Sequence, residues 1–255
     1  MKIENEKFRS IEEQFPSVKN GPQFIAGPCS IENTEMIDKL AQGLSSVGVK
    51  FLRGGAYKPR TSPYDFQGLG KEGIEMLAQA AKRYGMFTVS EIVDPRHLDH
   101  MVNSIDILQI GSRNMHNFEL LKEVGKSGHS VILKRGMCAT IEEFKFAAEY
   151  MACEGNRNII MCERGIRTFE TATRNTLDIS CIAILKQETN LPVIADLSHS
   201  LGRKDILLNI AKAVVALGAD GIMTEVHIDP KNALSDSLQQ LNLEEFKILK
   251  KSLKI

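Results

Sequence analysis

The sequence predicts a (β/α)8 barrel, in which eight parallel strands close on themselves and helices surround them. Short apolar runs of strand length alternate eight times with helical segments, at intervals of roughly 30 residues. No low-complexity segment or linker divides the 255 residues, which indicates a single domain. The alternative is an open, doubly wound sheet. It is disfavoured because no GxGxxG turn follows the first strand.

The predicted elements begin after a polar segment, residues 1–22, which we interpret as a short N-terminal extension of a barrel over residues 23–255. The strands are expected at 24–27, 49–52, 87–89, 105–110, 131–133, 159–161, 192–195 and 221–226. The helices are expected at 34–47, 71–84, 95–102, 117–125, 141–151, 175–188, 204–217 and 243–253. Thr34 is the predicted N-cap of the first of these helices, because a hydroxyl can accept an unpaired backbone N–H there.

Composition excludes several classes of protein. Lys and Arg number 32 and Asp and Glu number 32, so no net positive charge recruits nucleic acid or an anionic membrane. No stretch approaches the ~20 apolar residues that span a bilayer, and the first residues lack the apolar core of a signal peptide. The five cysteines are odd in number and form no CxxC motif. They predict reduced thiols and a cytoplasmic protein.

Cationic residues recur directly after the predicted strands, where the loops of a barrel build its site. Forked guanidiniums and ammonium groups suit the oxygens of phosphates and carboxylates, so a neutral protein that gathers them at one rim predicts a site for more than one anionic group. Arg135, Arg167 and Arg174 are interpreted instead as rim salt-bridge residues, with Glu163 or Glu170 as partners. The six cations assigned to the site are Arg53, Lys58, Arg60, Arg113, Lys134 and Arg164.

A second group combines a thiol, an imidazole and two carboxylates. Cys29, His199 and Glu225 follow the first, seventh and eighth strands, which become neighbours when a barrel closes, and Asp236 lies in the loop beyond. This mixed donor set suits one divalent first-row metal, and the sequence does not rank manganese, iron, cobalt and zinc. Taken alone, Cys29 is better interpreted as a small buried apolar residue, and His199 as a packed or hydrogen-bonded histidine. The coincidence of four ligand types on one side of the barrel favours the metal site. His227 is a rival to Glu225.

The motifs that carry these residues resemble those of 3-deoxy-D-arabino-heptulosonate-7-phosphate (DAHP) synthases, in particular the type I-beta subfamily. The matching stretches are residues 27–30, 53–62, 109–115, 162–171 and 235–236. The resemblance implies a metal-dependent transferase that condenses phosphoenolpyruvate with erythrose 4-phosphate and water. Its products would be the seven-carbon sugar phosphate and inorganic phosphate, in the first step of the shikimate pathway to chorismate and the aromatic amino acids.

The resemblance also implies roles for individual residues. Arg113 and Arg164 would bind the phosphate of phosphoenolpyruvate, with Ser112 beside them, and Arg53 and Lys134 would face its carboxylate. Lys58 would lie between the substrates, and Glu91 would position the attacking water. The phosphate of erythrose 4-phosphate would be bound by Arg60, Thr61 and Ser62, and the metal by Cys29, His199, Glu225 and Asp236.

Two alternative functions are kept. A synthase of 3-deoxy-D-manno-octulosonate 8-phosphate typically has an Ala-Asn-Arg-Ser loop, against which the segment from Lys58 to Ser62 argues. Its metal-independent members have Asn where Cys29 stands. A non-catalytic, sugar-phosphate-binding barrel is the other alternative, because the family's usual Asp-Pro-Ser-His-Pro is Asp-Leu-Ser-His-Ser at residues 196–200. Loss of both prolines is expected to loosen this loop and to lower metal affinity or turnover.

The resemblance further implies a homo-oligomer, either a dimer or a tetramer, and makes a separate chorismate mutase a candidate partner. Many subfamily members carry an added regulatory domain. Residues 1–22 are too few to build such a domain with its own core, so we expect no built-in feedback site.

Overall fold

The fold is the predicted (β/α)8 barrel. The structure is a computed structural model that describes residues 1–60 and 62–254. Eight parallel strands pair in chain order, and β1 closes the barrel on β8 with Gln23 opposite Gly221 and Gly27 opposite Glu225. The strands are β1 (Gln23–Gly27), β2 (Phe51–Arg53), β3 (Phe87–Ile92), β4 (Ile107–Ile110), β5 (Ser130–Lys134), β6 (Ile159–Glu163), β7 (Val193–Asp196) and β8 (Gly221–Glu225).

The helices form the outer layer of the barrel, and short 3-10 turns cover Pro95–His97, Ser112–Asn114 and Pro230–Asn232. None of the helices in the described chain combines the length and the apolar character needed to cross a bilayer. The α-helices are α1 (Lys2–Asn5), α2 (Ile11–Gln14), α3 (Thr34–Ser46), α4 (Lys71–Arg83), α5 (Leu98–Met101), α6 (Phe118–Lys126), α7 (Ile141–Cys153), α8 (Ile179–Glu188), α9 (Leu197–Leu201), α10 (Leu207–Ala216) and α11 (Leu243–Leu253).

Some helix ends differ from those predicted. Asn33, not Thr34, caps α3, because its side-chain oxygen accepts the N–H of Met36 at 2.9 Å while its own backbone is extended. The helix expected at 175–188 begins only at Ile179, where Asp178 caps it. The short helix α9 was not predicted, because its five residues are fewer than two turns and show no clear periodicity.

Several strands continue into polar residues that the prediction placed in loops. The apolar runs end early because the last inward-facing position of a strand is often charged here, as with Arg53, Glu91 and Lys134. Side chains alternate along a strand, so residues two apart share a face. Phe51, Ile132 and Met223 lie in the apolar layer inside the barrel. The inward residues two positions further on are therefore Arg53, Lys134 and Glu225.

The apolar layer fills the amino-terminal end of the barrel, and the N-terminal segment completes it. Ile11, Phe15 and Val18 pack with the inward-facing strand residues, and the Phe15 and Phe51 rings meet edge to face at 5.2 Å. Outward strand residues such as Leu52 and Leu108 pack instead with the surrounding helices. The domain boundary at residue 22 stays a prediction. The charged layer faces the opposite, carboxyl-terminal mouth.

Candidate active site

A cavity of about 420 Å³ occupies the carboxyl-terminal mouth of the barrel. Three carboxylate residues line it, Asp65, Glu91 and Asp236. The cationic residues that line it are Arg53, Lys58, Arg60, Arg113, Lys134, Arg164, Arg167 and Arg174. All six cations assigned from the sequence thus face one cavity, together with two arginines that were assigned to the rim. The surplus of positive charge makes the cavity attractive to anions.

Three of these arginines, Arg113, Arg164 and Arg167, have no carboxylate partner among the residues that the structure describes. Arg164 donates to the carbonyl of Gly165 at 3.3 Å, and Arg113 donates weakly to the carbonyl of Pro59 at 3.5 Å. Arg164 is buried, which lowers the pKa of its guanidinium, whereas Arg113 is exposed. Because a buried cation without an anion is unfavourable, Arg164 is the place where an incoming phosphate or carboxylate would gain most.

Three of the other four predicted cations form ion pairs, and the fourth, Lys58, contacts Cys29. Arg53 Nη1 lies 3.0 Å from Glu225 Oε1, and the buried Lys134 ammonium contacts the Asp196 carboxylate. Arg60 Nε lies 3.5 Å from Asp65 Oδ2 at the edge of the cavity. These ion pairs keep the cations in place in the substrate-free protein.

Arg60, Thr61 and Ser62, predicted to bind the phosphate of the second substrate, do not all line the cavity in the described structure. Only Arg60 lines the cavity. The Ser62 hydroxyl accepts the backbone N–H of Tyr64 at 3.2 Å and is not among the lining groups, and Thr61 lies outside the described residues.

Three of the four predicted metal ligands form one compact group, and the fourth, His199, approaches the two carboxylates of that group. The Cys29 thiol and the carboxylates of Glu225 and Asp236 offer ligand atoms within 4.8 Å of one another. His199 Nε2 lies 3.4 Å from Glu225 Oε1 and 3.8 Å from Asp236 Oδ2. His199 Nδ1 lies 2.7 Å from the buried carboxylate of Asp196, which orients the ring and leaves Nε2 for a metal.

The rival ligand His227 faces away from this group. Its Nδ1 accepts the backbone N–H of Asp229 at 3.0 Å, and its Nε2 lies 3.6 Å from Glu32 Oε1. His227 is nearly fully buried. Of the two candidates, the structure places Glu225 beside Cys29, His199 and Asp236, and these four residues form the donor group.

The electrostatics of the donor group suit a bound cation. Burial, reinforced by the charge of Glu225, raises the pKa of the Cys29 thiol to about 12, and this thiol donates to Asp236 Oδ2 at 3.3 Å. Although burial opposes ionisation of Glu225, the charges of His199 and Arg53 lower its pKa to about 2. A divalent metal would supply the positive charge that a thiolate needs here, and the donor set fits one.

Lys58 connects the donor group to the cavity. Its Nζ lies 3.2 Å from Cys29 Sγ and 3.1 Å from the Cys29 carbonyl oxygen, while its side chain lines the cavity. Gly27 permits this arrangement, because a Cβ there would lie 1.9 Å from the carbonyl oxygen of Arg53. The close approach of β1 and β2 brings the thiol and the lysine together.

Glu91 points into the cavity from β3. Gln109 Nε2 lies 3.4 Å from Glu91 Oε2. A Cβ at position 111 would lie only 2.0 Å from Glu91 Oε1, so Gly111 is required for this carboxylate to occupy its place. Ser112, which follows, also lines the cavity.

The predicted ion pair forms for Arg135, whereas Arg174 pairs with a different carboxylate and Arg167 forms no ion pair among the described residues. Arg135 Nη1 lies 3.1 Å from Glu163 Oε2, as expected. Arg174 contacts Asp236 and Gln239 instead of Glu170, and the Glu170 carboxylate accepts the backbone N–H groups of its own loop. These partners are distant in sequence, so only the fold reveals them.

His97 and His100, three residues apart in the chain, share Tyr57 as a partner. His97 stacks on Tyr57 with ring centroids 4.1 Å apart, and His100 Nε2 lies 3.0 Å from the Tyr57 hydroxyl. Tyr57 precedes Lys58, so the loop that carries the lysine folds back over this turn. Their spacing was visible in the sequence, but Tyr57 as the partner was not.

The segment that lacks the family's prolines is helical. Residues 197–201 form α9, and Asp196 caps it by accepting the N–H of His199 at 3.0 Å. The Ser200 hydroxyl donates to the Asp196 carbonyl at 2.9 Å. His199 is therefore held by a capped helical turn without either proline. The expected loss of metal affinity or turnover stays a prediction.

Comparisons with known proteins identify the family. The family model described as "DAHP synthetase I family" matches residues 11–254. The phospho-2-dehydro-3-deoxyheptonate aldolase of Thermotoga maritima is 54% identical over 230 residues, which are 90% of this chain and 68% of that protein. The 2-dehydro-3-deoxyphosphooctonate aldolase of Syntrophotalea carbinolica is 31% identical, over 88% of this chain and 86% of that protein.

Solved structures agree with this assignment. The crystal structure of the Thermotoga maritima DAHP synthase superposes with a TM-score of 0.93 at 50% identity, covering 98% of this chain and 74% of that one. A truncated form of the synthase from the same organism gives a TM-score of 0.89 at 47% identity, covering 98% and 92%. The chain therefore belongs to the DAHP synthetase I family and is an enzyme of that family, as its motifs predict.

Proposed function

We propose that this chain condenses phosphoenolpyruvate with erythrose 4-phosphate and water, yielding DAHP and inorganic phosphate. The observation that carries the proposal is that Lys58 connects the cationic cavity to the donor group. Its side chain lines the cavity together with Arg113 and Arg164, which lack carboxylate partners in the described chain, and its Nζ contacts Cys29 in the donor group. The chain is 54% identical to the phospho-2-dehydro-3-deoxyheptonate aldolase and 31% identical to the 2-dehydro-3-deoxyphosphooctonate aldolase. The higher identity to the first supports erythrose 4-phosphate, a four-carbon aldehyde, as the acceptor.

Phosphoenolpyruvate would bind across the floor of the cavity. Arg113 and Arg164 would bind its phosphate, because they lack carboxylate partners in the described chain. Arg53 and Lys134 would face its carboxylate while they keep their ion pairs with Glu225 and Asp196. Four cations in a buried site fix both ends of the substrate and hence the direction of its reactive third carbon.

Erythrose 4-phosphate would bind nearer the mouth. Arg60, with Thr61 and Ser62, would bind its phosphate, which puts its aldehyde toward Lys58. One divalent metal would be held by Cys29, His199, Glu225 and Asp236, and manganese, iron, cobalt and zinc all suit this donor set. When bound, the metal supplies Lewis acidity to a carbonyl oxygen.

The chain's own residues would then guide the reaction. The third carbon of phosphoenolpyruvate attacks the aldehyde carbon, and Lys58 protonates the developing alkoxide. Water, oriented by Glu91, adds to the cationic second carbon and passes one proton to the Glu91 carboxylate. Collapse of the resulting hemiketal phosphate breaks the bond between the second carbon and the phosphate oxygen, and the hydroxyl proton leaves with the phosphate. The released phosphate stays with Arg113 and Arg164, and proton exchange with solvent restores Glu91 and Lys58. Fixed cations stabilise the charge as it moves between these positions.

A competition assay tests the proposal. The protein with a divalent metal and phosphoenolpyruvate is offered erythrose 4-phosphate or arabinose 5-phosphate, and phosphate release is measured. We expect turnover with the four-carbon sugar. Faster turnover with the five-carbon sugar would establish the octulosonate alternative, and binding of phosphoenolpyruvate without release from either sugar would establish a non-catalytic barrel. The homo-oligomer and a separate chorismate mutase stay predictions from the resemblance, and the cytoplasmic location stays a prediction from the cysteines.

A further inference from the structure

A short chain of hydrogen bonds joins the two carboxylates of the donor group on the side away from Cys29 and His199. Gln239 Nε2 donates to Glu225 Oε2 at 2.6 Å. Arg174 Nη1 donates to Gln239 Oε1 at 2.6 Å and to Asp236 Oδ1 at 3.2 Å. One amide and one guanidinium thus connect Glu225 to Asp236.

The chain uses one oxygen of each carboxylate, and the other oxygen faces Cys29 and His199. Glu225 Oε1 lies 3.4 Å from His199 Nε2 and also accepts a hydrogen bond from Arg53 Nη1 at 3.0 Å. Asp236 Oδ2 lies 3.3 Å from Cys29 Sγ. A carboxylate with one oxygen held by a hydrogen-bond donor presents a single oxygen to a metal. The arrangement therefore favours a compact site of four single-atom donors.

Two features show that Gln239 and Asp236 are held in defined places. Gln239 is buried, with 7% of its surface exposed, and both ends of its amide are used in the correct sense, nitrogen to carboxylate and oxygen to guanidinium. Asp236 has a φ of 49°, a left-handed conformation that is unfavourable for a residue other than glycine. Such a conformation persists where surrounding contacts hold it, and the Arg174 ion pair is one of them.

We propose that Arg174 and Gln239 are positioning residues that fix Glu225 and Asp236 as one-oxygen metal ligands at a set separation. The proposal rests on the metal dependence in the proposed function. It assigns Arg174 a role at the metal site instead of a role as a substrate-phosphate ligand, although its side chain also reaches the cavity.

The test measures metal binding without substrates. Co²⁺ and Zn²⁺ are titrated into metal-free protein against a competing chelator, and the cobalt absorption spectrum reports the thiolate bond and the coordination number. Gln239→Met removes both hydrogen bonds at similar volume, Gln239→Glu opposes a carboxylate to Glu225, and Arg174→Met removes the guanidinium. Arg203→Met is the matched control, because Arg203 is an exposed arginine paired with Asp205.

We expect the Gln239→Met and Arg174→Met variants to bind both metals about 10- to 100-fold more weakly, with altered cobalt spectra. The double variant should lose little more than the larger single loss, since the two residues act through one chain. Gln239→Glu should lose most, and Arg203→Met should match the parent. Thermal unfolding of the metal-free variants verifies that each is folded.

Three results would overturn the proposal. One is unchanged affinity and spectrum in folded Gln239→Met and Arg174→Met. Another is an Arg174→Met variant that binds phosphoenolpyruvate poorly but metal normally, which would assign Arg174 to substrate. If the parent protein itself binds neither metal, the metal site of the proposed function fails, and this inference fails with it.

Discussion

The two ends of the barrel are built from the same strands and yet differ in polarity and in charge. At the amino-terminal end, Phe51 and Ile132 pack with Phe15 in a fully apolar layer. Two residues further along the same strands, Arg53 and Lys134 face a cavity rich in cations. The comparison teaches that one end stabilises the fold, while the other holds like charges whose proximity is unfavourable in the absence of a bound anion.

The largest expected effect is at the donor group. Cys29→Ala should reduce metal-dependent phosphate release to background, because the buried thiol is the soft ligand of the proposed site. Cys153→Ala, at an exposed cysteine, is the matched control and should retain parental turnover. Parental phosphate release by the metal-stripped Cys29→Ala variant would contradict the metal role.

The unpaired cations come next. Arg164→Met should weaken phosphoenolpyruvate binding about 10- to 100-fold, because it removes a charge-assisted contact worth about 1.5–3 kcal/mol. Its free energy of unfolding should stay equal or rise, since burial lowers the pKa of this guanidinium and no carboxylate in the described chain offsets it. Calorimetric titration and urea denaturation measure the two effects. A large loss of stability with normal substrate affinity would show that Arg164 is structural.

The apolar end should respond in the opposite way. Phe15→Ala should lower the free energy of unfolding by about 3 kcal/mol, since it opens a cavity among buried rings. The KM for phosphoenolpyruvate should stay within about twofold of the parent, because the change lies at the far end of the barrel. Urea denaturation and steady-state kinetics test both statements, and a raised KM at unchanged stability would break the comparison between the two ends.

The smallest effect is expected at Leu197. Leu197→Pro should change the free energy of unfolding by about 1 kcal/mol or less, because proline is tolerated at the first position of α9 and restricts the unfolded chain, while some buried packing is lost. Metal affinity should change less than about threefold, since Asp196 already caps the turn that carries His199. A tenfold gain in affinity would instead show that the proline is needed to orient His199.

The barrel could be predicted because eight apolar runs at regular spacing leave few other topologies. The ends of the strands could not, because a charged residue such as Lys134 interrupts an apolar run although it continues the strand and its inward face. The position of Arg113 and Arg164 directly after strands was enough to predict that they lie at the site. Gln239 could not be predicted in this way, because nothing in the local sequence distinguishes a buried glutamine that connects two distant carboxylates from a glutamine on the surface.

The concentration of arginines and lysines at one mouth has a consequence for how substrates arrive. The protein as a whole has no net charge, so it exerts little long-range pull on anions. Within about a Debye length, ~8 Å at physiological ionic strength, the field of Arg113, Arg164 and their neighbours extends out of this mouth of the barrel. Capture of phosphorylated metabolites is therefore directional, and added salt slows encounter without loosening the apolar half of the barrel.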